Sequence, residues 1–237
     1  MLFNTPITLL LALAPAALLA APTASKPVRM GKRDLSTQEV NKLLDGNCDM
    51  SNAYMPISPQ GLPNPSTGLT IGHVAIGHGT QNYTCADSTS ATAPKAGGAF
   101  ATLYNATCLA IRAPPIMADM VNIAITDPPP REDIASILES GHHEFTETGV
   151  PLFKLVTDKV NYGYVKAKPV ANATAPATAA RGENGMGSVL WLKLVAVEGD
   201  YKEVYRIETA GGVAPKTCEG MASHFEVPYA TQYWFWK

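Results

Sequence analysis

The 237-residue chain has no Gly-x-Gly-x-x-Gly, no His-Glu-x-x-His, no Gly-x-Ser-x-Gly and no Cys-x-x-Cys. The first absence removes the tight turn that sets a pyrophosphate on a helix N-terminus, so nicotinamide chemistry has no seat here. Gly182, Gly185 and Gly187 have the wrong spacing and follow a polar stretch, while Gly77 and Gly79 sit inside a strand pattern. The second and fourth absences remove the close ligand pairs of common zinc sites, and the third removes the nucleophile elbow of α/β-hydrolases. No cofactor is expected.

Charge is also sparse, at 16% Asp, Glu, Lys and Arg. Long apolar runs are missing except at the start, where residues 2–21 are nearly all apolar or small and centre on Leu9, Leu10, Leu11, Leu13, Leu18 and Leu19. Pro6 and Pro15 interrupt that run, and it ends in Ala20 and Ala21, small residues suited to signal peptidase. Residues 1–21 are therefore expected to be a signal peptide, even though no Lys or Arg precedes the run. Residues 22–33 end in Lys32-Arg33, a candidate dibasic processing site for a propeptide. Removing both segments takes four of the 18 basic residues and none of the 20 acidic ones, leaving a net charge of −6. Such a surface excludes nucleic acid as a natural partner, since counterion release needs a basic face. No later run is long enough to span a membrane.

What is present agrees with export. Cys48, Cys85, Cys108 and Cys218 are even in number and widely spaced, the pattern of two disulfides in an oxidising compartment, with three connectivities open. Asn82-Tyr83-Thr84, Asn105-Ala106-Thr107 and Asn172-Ala173-Thr174 are N-glycosylation sequons, and each used Asn must reach solvent.

Residues 34–68 read as a helix followed by a loop. Ser36-Thr37-Gln38-Glu39 has capping-box form, Val40, Leu43 and Leu44 share a face, and Gly46 closes a helix over residues 37–45. Residues 55–68 are rich in Pro, Ser, Asn and Gly and read as loop. The remaining 69–237 form a β domain. A long strand over 69–85 is expected to be interrupted by a bulge or sharp bend at Gly77-His78-Gly79, and a loop over 88–98 leads into a strand over 99–104. Helical spacing follows in 114–123 through Ile116, Met117, Met120 and Val121. A further short helix carries Ile134, Ile137 and Leu138 and stops at Gly141. Strands are expected over 142–146, 150–156, 160–168, 188–197, 202–209 and 225–236, with a small-residue loop over 171–187. Many strands and about three short helices predict an antiparallel β-sandwich or barrel, not a doubly wound sheet.

The ordered segments Gly79-Thr80-Gln81-Asn82-Tyr83-Thr84-Cys85, Gly141-His142-His143, Trp191-Leu192-Lys193-Leu194, Val204-Tyr205-Arg206-Ile207-Glu208-Thr209-Ala210-Gly211-Gly212 with Pro215 and Cys218, and Tyr229-Ala230-Thr231-Gln232-Tyr233-Trp234-Phe235 resemble a family of secreted fungal and bacterial proteins. Its fungal members often carry the inherited name malate dehydrogenase, and it has no established activity to transfer. The resemblance implies one pairing: bacterial relatives keep only the cysteines matching Cys85 and Cys218, which joins those two and leaves Cys48 with Cys108.

Candidate chemistry is thin. His73, His78, His142, His143 and His224, with Glu144, contain the usual imidazole ligands, but His142 and His143 are neighbours on a strand and must point to opposite faces. No metal site is expected. In the last strand Phe225, Val227, Tyr229, Tyr233 and Phe235 alternate with Trp234 and Trp236, either as two buried faces or as an aromatic platform for sugar rings. The candidate ligand residues are thus His142, His143, Glu144, Trp234 and Trp236. The reading that follows is a secreted glycoprotein, extracellular or cell-wall-associated, with a binding or structural role and cell-wall polysaccharide as a candidate partner. The competing class is a secreted hydrolase or metal-dependent enzyme with a cleft near His142, His143 and Glu144.

Overall fold

The computed structural model describes Gln38 and residues 48–56, 61–127 and 132–237. The expected signal peptide and dibasic site lie outside these residues, as does the helix over 37–45 apart from Gln38, which is helical.

Eight strands form a closed barrel: β1 (Ile71–Thr84), β2 (Lys95–Asn105), β3 (Glu139–Phe145), β4 (Pro151–Val156), β5 (Asn161–Ala173), β6 (Trp191–Gly199), β7 (Glu203–Gly211) and β8 (His224–Trp236). Each pairs antiparallel with its neighbour in sequence, and β8 closes on β1. Closure leaves no strand edge to aggregate. Of the two architectures compatible with the alternation, the barrel is the one formed.

Eight strands enclose a space about as wide as the side chains that fill it. Ala75, Leu103, Phe153, Leu155, Val165, Ala167, Leu194, Val204, Tyr233 and Phe235 form one buried cluster inside. Phe153 is its hub, with ring centroids 5.1 Å from Tyr233 and 5.5 Å from Phe235. Glycine at position 77 makes room for this packing, since a Cβ there would stand 2.6 Å from the Tyr233 ring. No bulge occurs at Gly77-His78-Gly79: pairing stays in register there, and the irregularities of the strand fall at Ile71/His73 and Asn82/Tyr83. Gly77 serves packing against Tyr233, and Gly79 the close passage of the β2 backbone at Phe100 and Ala101.

The long β2–β3 connection carries α1 (Leu109–Arg112), α2 (Pro114–Thr126) and α3 (Glu132–Leu138). Pro114 and Pro115 start α2 with the fixed φ a first turn accepts. Met117, Val121 and Ile125, four residues apart, line its buried stripe. They rest on the outer face of the barrel, against Val74, Ile76, Tyr205, Ile207, Ala230 and Trp234. The helix extends past the expected end at 123, and Ile116 is 54% exposed, because the buried stripe begins one residue later. Gly141 does not end a helix. It lies within β3 at φ 142°, next to a register shift opposite Leu103/Tyr104, where its missing Cβ lets the Lys154 carbonyl pass. Residues 171–173, expected in a loop, extend β5, and β2 begins at Lys95 within the loop expected over 88–98. β6 begins at Trp191, with Ser188 making only an isolated bridge to Gly212.

The segment before β1 is fastened to the outside of β6 and β7. Lys193 Nζ donates to the Asn64 carbonyl at 2.8 Å and pairs with Glu203 at 3.0 Å, Ser66 donates to Glu203, and the Tyr205 hydroxyl donates to the Pro63 carbonyl. A buried Lys and Glu are tolerable here because each satisfies the other and the backbone.

Candidate functional site

The structure separates the histidine pair. His142 lies on the outer face, stacked on Phe100 with centroids 6.0 Å apart and 3.5 Å from Glu144. His143 points inward and is 3% exposed, stacked on Phe153 at 4.2 Å, with its Nδ1 2.9 Å from the Leu152 carbonyl. Burial lowers the His143 pKa to about 4, so the ring is neutral and Nδ1–H donates to that carbonyl. The cleft imagined around His142, His143 and Glu144 is therefore not one site, because neighbouring strand residues face opposite ways and a closed barrel wall stands between them.

The aromatic platform is likewise absent from β8. Trp234 is 1% exposed and donates through Nε1 to Gln232 Oε1 at 3.0 Å, while Gln232 Nε2 donates to the Met117 carbonyl at 3.0 Å. Trp236 is half-buried, at 6.5 Å from Tyr205. From Tyr229 to Phe235 both faces of the strand are buried, so Trp234 offers no open ring and Trp236 at the strand end is only partly accessible.

Of the sequon residues, Asn172 is exposed near the end of β5, whereas Asn82 and Asn105 are half-buried. Asn105 Oδ1 accepts from the Thr107 backbone N–H, and its Nδ2 donates to the Tyr162 hydroxyl at 3.2 Å. The disulfides are Cys48–Cys108 and Cys85–Cys218, spanning 60 and 133 residues. The first ties the N-terminal segment to the start of α1. The second ties the end of β1 to the β7–β8 connection. This is the pairing that the family resemblance implies.

A second polar group of residues lies in the barrel itself. The Tyr229 and Tyr233 hydroxyls are 2.9 Å apart, and Arg206, paired in register with Tyr233, donates through Nη2 to the Leu190 carbonyl at 2.9 Å. Gln81, 8% exposed, bears on Tyr229 but its Nε2 has no hydrogen bond of good geometry. These groups largely answer one another and fill the space they occupy.

An open concavity lies outside the barrel, between α2 and the β5–β6 connection. It has a volume of about 160 Å³ and is lined by Ala118, Val121 and Asn122 of the helix, Pro176, Thr178, Ala179 and Ala180 of the connection, and Glu208 and Thr209 of β7. Glu208 reaches it through a bulge. Ile207 pairs with Gln232 and Ala210 with Ala230, so Glu208 and Thr209 together stand opposite Thr231. Without that extra residue, strand alternation from inward Arg206 would send Glu208 into the barrel; the bulge re-aims it outward. Its φ of 47° makes it the single non-glycine in the left-handed region among the described residues. That conformation costs about 1–2 kcal/mol for an L-residue with a Cβ. Burial raises the Glu208 pKa above the usual carboxylate value, and no hydrogen bond or cation among the described residues relieves it. Thr209 is held beside it by donation to the Val189 carbonyl at 2.6 Å. The sequence offered Glu208 only as one member of an ordinary strand, since a bulge and its φ leave no mark in the alternation.

The fold and groove define a closed eight-stranded antiparallel barrel with a helical layer packed outside it. The family described as "Protein of unknown function (DUF3455)" matches residues 65–237, which is most of the chain. The chain belongs to that family. No curated protein matches it, and no solved structure matches it.

Proposed function

We propose that this chain works outside the cell, as a secreted glycoprotein with an extracellular or cell-wall-associated binding role. The observation that carries the reading is that all four cysteines are spent in two long-range disulfides placed to brace the barrel and its N-terminal segment. Such bridges persist in oxidising compartments and are reduced in the cytosol. The apolar leader of residues 2–21 and the exposed Asn172 sequon support the same compartment. A binding role is supported by the groove at Glu208, a polar concavity on a rigid wall.

The test is to recover the protein from the culture medium of a cell that makes it. Its first residue should lie at 21 to 34, thiol titration without reductant should find no free thiol, and glycosidase should lower its mass. Recovery from the cytosol at full length with four titratable thiols overturns the proposal. Retention on insoluble wall polysaccharide distinguishes a wall-associated role from a freely extracellular one.

A further inference from the structure

We propose that the groove between α2 and the β5–β6 connection binds a compact organic cation through its primary ammonium, with Glu208 as the counter-ion. The inference deepens the binding role above and rests on it. It is carried by three independent features of one position. The first is the backbone: Glu208 holds φ 47° at a bulge where glycine would sit without strain. Strained non-glycine residues persist where the side chain is used, and bulges are a means of re-aiming such a side chain.

The second feature is charge. The carboxylate is half-buried against the helix and the connection, yet among the described residues no Lys, Arg or His is bonded to it. The buried Glu203 carboxylate, by contrast, is answered: it pairs with Lys193 and accepts from Ser66. A desolvated carboxylate without a cation is an unfinished ion pair, and a ligand ammonium completes it.

The third is the lining. Besides Glu208 it offers the Asn122 amide and the Thr178 hydroxyl, both able to accept from the three N–H donors of an ammonium. It contains no aromatic ring on which a neutral sugar would stack. One carboxylate is too few for calcium, which takes six to eight oxygens. A space of about 160 Å³ admits a single six-membered ring or a short alkyl chain, as an engineered cavity of about 150 Å³ admits benzene. An amino sugar and a free alkyl amine share this chemistry.

The experiment is a titration of the full disulfide-bonded protein with glucosamine, n-butylamine and glucose, followed by amide chemical shifts. Glucosamine or n-butylamine should perturb Asn122, Thr178 and Thr209, and glucose should bind at least tenfold more weakly. Preference for glucosamine over n-butylamine assigns an amino sugar, and equal binding assigns the ammonium alone; both support the proposal. Glu208→Gln should weaken binding at least tenfold with its far- and near-UV spectra unchanged, and Thr178→Trp, which fills the groove and leaves the carboxylate, should do the same. Absence of any shift at the groove with either amine, equal binding of glucose, or unchanged binding by Glu208→Gln overturns it. Failure here leaves the extracellular assignment standing, and a cytosolic origin for the protein leaves this titration intact.

Discussion

Inside the barrel, Tyr229 and Tyr233 hold their hydroxyls 2.9 Å apart and His143 donates to the Leu152 carbonyl while lying flat on Phe153. On the outer side of the same β7–β8 wall, Glu208 keeps a half-buried carboxylate with no bonded partner among the described residues, on a left-handed backbone, beside an open groove. The interior treats polarity as a packing problem largely solved: the tyrosine hydroxyls and the His143 ring are matched, and only Gln81 Nε2 among the described groups there lacks a partner. The outer groove carries strain and an unmet charge. Natural chains retain such defects at sites that meet something else, because elsewhere a cheaper residue would replace them.

The contrast can be broken by substitution, and the interior should respond most. Phe153→Ala removes the ring at the centre of the inner cluster and should cost about 3–5 kcal/mol of unfolding free energy, read from urea midpoints. A loss below about 1 kcal/mol would show that the barrel is not held by this cluster. Next comes the response to acid. The folded His143 pKa, about 4, lies below its ordinary 6.5, so the unfolded chain binds the proton more readily. Stability is therefore full above pH 6.5 and is lost as pH falls through about 4, by on the order of 3 kcal/mol for this group. His73, buried and lowered to about 3, acts in the same direction. His143→Phe should flatten the stability profile between pH 7 and 4, leaving the part due to His73. The smallest effect has the opposite sign. Glu208→Gly relieves the left-handed backbone and the buried charge, and should raise stability by about 1 kcal/mol while emptying the groove of its counter-ion. A destabilised Glu208→Gly variant would mean that Glu208 supports the fold and would erase the difference between the two regions.

The strands were largely legible because a half-buried strand writes its orientation into every second residue, as Val204, Arg206 and Tyr205, Ile207 do on the two faces of β7. The opposite facing of His142 and His143 followed from the same rule. What escaped were features set by a neighbour. Gly141 reads as a helix stop after Leu138, yet it serves a strand because the β4 backbone passes against it. Trp234 and Trp236 read as core before platform, and the covering of Trp234 depends on α2, whose approach no local pattern specifies. Glu208 is one polar residue in a strand until Thr231 is seen to face two residues in place of one.

By itself the sequence determined the β character of residues 69–237 and the apolar leader, because alternation and apolar run length are local quantities. Which of sandwich or barrel formed, and where a carboxylate was left facing an open groove, depended on the meeting of β8 with β1 and of α2 with β7. Those contacts join residues 100 or more positions apart in one case and about 85 in the other, roughly, and their geometry is fixed only when the whole chain is packed.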